Sequence, residues 1–97
     1  MYQILFKERA EKIFSKIDKK TQQKIANELE KLALDPFSKS NVKKISGAKD
    51  GYRLRISRWR ILYTLTTCDK LIEVIDIFME KNKKDYEIRR KLFLQLL

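Results

Sequence analysis

The sequence predicts an α+β domain: an antiparallel sheet with an N-terminal helix hairpin and a C-terminal helix, in the order β-α-α-β-β-β-β-α. Three observations lead there. Apolar residues recur every three or four positions between Phe6 and Ala33. From Val42 to Met79 the chain is instead a series of short runs rich in β-branched and aromatic residues. Beyond Lys83 the helical spacing returns.

Each element has its own signal. "YQILF", Tyr2 to Phe6, reads as a short strand. Phe6, Ala10, Ile13, Phe14 and Ile17 then mark an amphipathic helix near 7–16, and Asp18 is a cap or turn residue. Ile25, Ala26, Leu29, Leu32 and Ala33 place a second helix at 19–34. Asp35-Pro36 ends it, because a residue before proline is pushed out of helical backbone geometry. "FSKSN" is a loop, "VKKIS" (Val42 to Ser46) a weak strand, and Asp50-Gly51 a turn signal. "YRLRI", "WRILYTL" and "LIEVIDIFM" are three further strands. The last helix carries Ile88, Leu92, Phe93 and Leu96 on one stripe. The 97 residues are enough for one modest core, so a single domain over 1–97 is expected.

Composition narrows the classes of function. No apolar run approaches the roughly 18 residues of a membrane span, and the start "MYQILFKERAEK" lacks a signal-peptide pattern. With one cysteine, Cys68, and no histidine, neither an internal disulfide nor a transition-metal site is expected, and the location expected is a reduced cytoplasm. The 23 basic and 13 acidic residues leave a net charge of +10, which suits a polyanion such as nucleic acid, or an acidic protein.

The charge is concentrated in "YRLRISRWRILY", residues 52–63, with four arginines and no acid. Side chains alternate along a strand, so Tyr52, Leu54 and Ile56 share one face and Arg53 and Arg55 the other. With Ser57-Arg58 as a two-residue turn, Ile56 pairs with Trp59, Arg55 with Arg60, Leu54 with Ile61, and Tyr52 with Tyr63. Arg55 across from Arg60 is repulsive, so removing Arg60 should relieve the fold slightly. Either an anion gripped by the guanidinium forks sits between them, or a carboxylate from the next strand, Asp76 or Glu80, neutralises them.

The helix hairpin, "YRLRISRWRILYTL", an apolar strand and then "EKNKKDYE" resemble the RelE/ParE superfamily of toxins of type II toxin–antitoxin systems. The motif likeness covers residues 44–63 and, more loosely, 80–86; the likeness in element order covers nearly the whole chain. A RelE-like mRNA interferase is implied: an endoribonuclease cutting mRNA in the ribosomal A site by attack of a ribose 2′-OH on the adjacent phosphate, with no metal or other cofactor. The partners implied are a cognate antitoxin protein, mRNA and the ribosome, with no membrane. The ParE-type alternative poisons DNA gyrase without nuclease activity, and a third is a relative that holds RNA without cutting it.

By the resemblance, the catalytic residues are Arg53, Arg55, Arg60, Lys83 and Tyr86, with Lys49, Arg58 and Lys81 binding substrate. Arginines suit the developing phosphorane charge, and Tyr86 suits base stacking or proton transfer. Arginine is a poor general base, so that role stays open among Glu80, Lys81, Lys83 and Lys49. The family's antitoxins commonly wrap the toxin and can displace the C-terminal helix, which would then be marginally docked.

Overall fold

A computed structural model describes residues 1–37 and 39–97, so the loop expected over 37–41 falls outside the described residues at Ser38. Strand β1 (Gln3–Phe6) runs into helices α1 (Glu8–Ser15) and α2 (Lys19–Leu34). Strands β2 (Val42–Lys44), β3 (Gly51–Ile56), β4 (Trp59–Thr66) and β5 (Leu71–Met79) follow, and helix α3 (Lys83–Leu96) closes the order. Local chemistry sets the helix starts. The Asp18 carboxylate accepts the Thr21 N–H ahead of α2. Asn82 and Asp85 form a reciprocal capping box at α3.

The five strands form one sheet in the order β1-β5-β4-β3-β2. The pairing is antiparallel as expected, except that β1 lies parallel to β5. Parallel neighbours need a long crossover, and everything from α1 to β4 supplies it. The β3–β4 hairpin has the expected register: Ile56 faces Trp59, Arg55 faces Arg60, Leu54 faces Ile61 and Tyr52 faces Tyr63. Ser57 turns the chain at φ 57°, the left-handed conformation a tight hairpin requires.

Helices cover both faces of the sheet. The larger core joins Leu54, Ile56, Ile61 and Tyr63 to Ile25, Leu29 and Leu32 of α2. On the other face a smaller cluster of Ile45, Ala48, Leu62, Ile75 and Phe78 takes up Phe93 of α3. A register shift at Leu62/Tyr63 skips Ile75 in the ladder and pairs Leu62 with Asp76. The bulge turns both Ile75 and Asp76 toward α3. The Asp76 carboxylate is fully buried there and meets Arg89 Nη1 at 3.0 Å through both oxygens and Arg9 Nε at 3.3 Å. Among the described residues no helix is long and apolar enough to cross a membrane.

Helix α3 does not dock through the stripe its apolar residues suggested. Phe93 is fully buried and Tyr86 and Leu94 pack beside it, but Ile88 is 64% and Leu96 49% exposed. The row that meets the sheet is Tyr86, Arg89 and Phe93, because Arg89 answers the buried Asp76 and Phe93 finds space over Gly51. Counting apolar residues missed a face held partly by charge.

Gly51 is needed for that seat. A β-carbon there would stand 2.7 Å from Phe93 Cε2 and 2.8 Å from Ala48 Cβ. Gly51→Ala should lower stability by about 1–3 kcal/mol through overpacking, read from urea unfolding. Unchanged stability would show that Phe93 is not seated on Gly51.

Candidate nucleic-acid interface

The ladder that folds the arginine hairpin also arrays its charge. On the α3 face, β2 sets Lys43 directly across from Arg53, and β4 sets Arg60 across from Arg55. Arg55 is exposed, and Asn41 ties its backbone at both ends: Arg55 N–H donates to Asn41 O at 3.0 Å and Asn41 Nδ2 to Arg55 O at 2.9 Å. Arg53 is half-buried, with its guanidinium carbon 4.8 Å from the centre of the Tyr86 ring. Among the described residues Arg53 Nε has no hydrogen-bond partner, and Lys43, Arg53 and Arg55 have no acidic partner.

Two hollows adjoin along this row and share Lys43 and Arg53. The one toward the β2 edge, ≈ 320 Å³, is completed by Ser40, Asn41 and Arg55. The one toward α3, ≈ 400 Å³, is completed by Lys44, Ser46, Tyr86 and Arg90, with Glu87 at its rim. Burial pushes the Tyr86 phenol above its ordinary pKa, while Arg53 and Arg90 pull the other way. A raised pKa keeps the proton on through neutral pH, so Tyr86 is a hydrogen-bond donor there.

Arg60 is placed differently. It is only 9% exposed, and its Nη1 donates to the carbonyls of Ser57 (2.8 Å) and Trp59 (3.0 Å). Its Nη2 meets Glu80 Oε2 at 3.3 Å. The carboxylate weighed against an anion in the sequence reading is therefore present beside Arg60, and it is Glu80. Asp76, the other carboxylate considered, is committed to Arg9 and Arg89.

The remaining candidates lie around this row. Arg58 is exposed at the hairpin tip, and its carbonyl accepts the Glu80 N–H at 2.8 Å, which holds the tip beside the approach to α3. Lys81 and Lys83 are exposed at that approach; Lys81 N–H donates to Asp85 at 2.6 Å, and this bond helps hold the Asp85 carboxyl below its ordinary range. Lys49 is exposed at the opposite end of β3, beside a hollow lined by Lys44 and Ser46. Thus Arg53 adjoins Tyr86 in one hollow and Arg55 in the other, Arg60 lies under the hairpin, and Lys49, Arg58, Lys81 and Lys83 stand at the two ends. Lys43 and Arg90 were missed from the sequence. Their signals were Lys43's place in "VKKIS" and the spacing of Arg90 four residues after Tyr86 on one helix face.

The sequence matches the family described as the ParE toxin of type II toxin-antitoxin system, parDE, over residues 4–83. A RelE-like toxin protein of Escherichia coli is 33% identical over 89 residues, spanning 90% of this chain and 92% of that protein. The isolated E. coli RelE toxin superposes with a TM-score of 0.74 at 23% identity, over 97% of this chain and 100% of that one. The toxin of the archaeal RelE–RelB complex from Pyrococcus horikoshii OT3 gives 0.73 at 20% identity, over 84% and 97%. These two structural likenesses speak for the fold.

The Arg60 geometry reverses the sign expected from repulsion alone. Arg60→Ala leaves the part-buried Glu80 and two carbonyls without their donor, so it should lower stability by about 1.5–3 kcal/mol, the range for hydrogen bonds to charged groups. Melting curves of the variant and parent check this. A variant as stable as the parent, or more so, would show that the Arg55–Arg60 repulsion dominates.

Proposed function

The chain belongs to the RelE/ParE superfamily of type II toxin–antitoxin toxins, and from that premise we propose that it is a metal-independent endoribonuclease that cleaves mRNA in the ribosomal A site. The observation that carries the reading is the row Lys43, Arg53 and Arg55, without acidic partners among the described residues, with Tyr86 stacked over Arg53. Structural arginines are normally matched, as Arg60 is by Glu80. Exposed unmatched guanidinium forks are suited to phosphate.

In the proposed reaction the ribose 2′-oxygen bonds to the adjacent phosphorus and the bond from phosphorus to the 5′-oxygen breaks. The 2′-hydroxyl gives its proton to water, and the departing 5′-oxygen takes one from a donor that solvent then reprotonates, leaving a 2′,3′-cyclic phosphate and a 5′-hydroxyl. Arg53 and Arg55 stabilise the charge that builds on the phosphorane oxygens. Tyr86, protonated at neutral pH, supplies the proton to the 5′-oxygen. Arg60 acts through the hairpin, holding Ser57, Trp59 and Glu80 so that Arg55 keeps its place.

A cognate antitoxin is the proposed protein partner. Ile13, Trp59, Met79 and Ile88, together with Asp85 and Arg89, line a hollow of ≈ 290 Å³ beside α3, and Arg9, Lys12 and Glu8 border the next one. An amphipathic segment with acidic residues would match both, and several solved relatives are toxin–antitoxin complexes.

The match to the ParE description favours a second reading, inhibition of DNA gyrase without nuclease activity. Single-turnover cleavage on programmed ribosomes separates the two. Arg55 is exposed, so Arg55→Ala should melt like the parent yet cut about 10²–10³ more slowly, a usual loss for one such donor. Arg55→Lys should recover only part of that rate. Tyr86→Phe, which keeps the ring on Arg53, should cost roughly 10²-fold or more. Full cleavage by folded Arg55→Ala and Tyr86→Phe proteins would refute these roles; a parent that inhibits supercoiling and leaves mRNA whole would establish the gyrase reading.

A further inference from the structure

Lys43 stands on β2, the outermost strand of the sheet among the described residues, at the point where the two basic hollows meet. We propose that this face seats two consecutive phosphates of one RNA strand, the second of them held by Lys43 and Arg55 in the hollow at the β2 edge. The proposal rests on reading the face as an RNA site.

The two hollows differ in how much of their charge is already answered. Toward α3, Arg90 donates to Glu87 at 3.1 Å and to the Ser46 carbonyl at 3.1 Å, so part of that charge is neutralised within the protein. Toward β2, the cations are Lys43, Arg53 and Arg55, and none has an acidic partner among the described residues. Arg53 and Arg55 project from one face two residues apart, which sets their anchors roughly 7 Å from each other. That separation matches neighbouring phosphates of an extended strand, so the pair spans both seats. Arg53, against Tyr86, belongs to the phosphate that reacts. Arg55 shares the outer hollow with Lys43, and its several N–H donors let it bridge the reacting phosphate and the next one.

The outer hollow is also held in shape. The paired hydrogen bonds between Asn41 and Arg55 continue the β2–β3 ladder past Val42, so the Ser40-Asn41 wall is tied to Arg55 itself. Among the described residues no strand lies outside β2, which leaves the hollow open for the RNA to run off the sheet. All the groups involved read phosphate, so this seat adds affinity without sequence preference.

The test is equilibrium binding of a single-stranded 2′-O-methyl RNA oligonucleotide, which cannot be cut, over a series of salt concentrations. Each phosphate neutralised on a single strand contributes about 0.7 to the slope of log affinity against log salt. Lys43→Ala should reduce the slope by about that amount, equally for unrelated sequences, and Lys43→Arg should restore it. Lys24→Ala, exposed on α2 across the sheet, removes the same charge and should leave the slope unchanged. A Lys43→Ala slope equal to the parent's, or an equal fall with Lys24→Ala, overturns the second seat. Ribosomal cleavage by the parent with no dependence of binding on Lys43 would overturn the seat and leave the nuclease reading intact. Lys43-dependent binding by a parent that never cuts would uphold the seat and reject the nuclease.

Discussion

A single buried carboxylate organises the parts of this molecule that meet RNA in the proposed function. Asp76 has no exposure, and its charge is tolerated because Arg89 of α3 and Arg9 of α1 reach it from two sides. A charge left alone at that depth would cost several kcal/mol, so the position of α3 is dictated by the need to deliver Arg89. Tyr86 lies three residues earlier on the same helix face and is thereby brought over Arg53. Phe93, one turn later, locks the far end against Gly51. The bulge that skips Ile75 is what points Asp76 at the helix in the first place.

The arginine-rich hairpin serves two purposes with one residue type. Arg60 is spent inside the protein, where Glu80 and two carbonyls take up its terminal nitrogens and join the hairpin tip to the start of α3, while its Nε has no partner among the described residues. Arg53 and Arg55, on the neighbouring strand, keep their charge available. The like-charged pair across the ladder is thus made tolerable by an internal carboxylate on one side, which leaves the other guanidinium free for an anion.

Much of this was legible before the structure. The hairpin register followed from strict alternation around a two-residue turn, since a slip of one residue would have buried Arg53 and Arg55 in place of Leu54 and Ile56. The grouping of Arg53 with Arg55 came from the same argument. Other features had no local signal. Nothing in "YQILF" says that its partner is β5 and parallel, because pairing across some 70 residues is decided by packing. The docking face of α3 was misplaced because the apolar spacing put Ile88 and Leu96 on the stripe, and that spacing carries no signal for the charge Arg89 brings to Asp76. Lys43 was passed over because a three-residue strand acquires meaning only once it is set beside Arg53.

The central claim is that the basic face performs chemistry on a ribose–phosphate linkage. The most direct measurement is the chemical nature of the ends made when the purified protein meets mRNA on programmed ribosomes. Attack by the ribose 2′-hydroxyl leaves a 2′,3′-cyclic phosphate on one fragment and a 5′-hydroxyl on the other. Fragments ending in a 5′-phosphate and a 3′-hydroxyl, the products of attack by water, would contradict it.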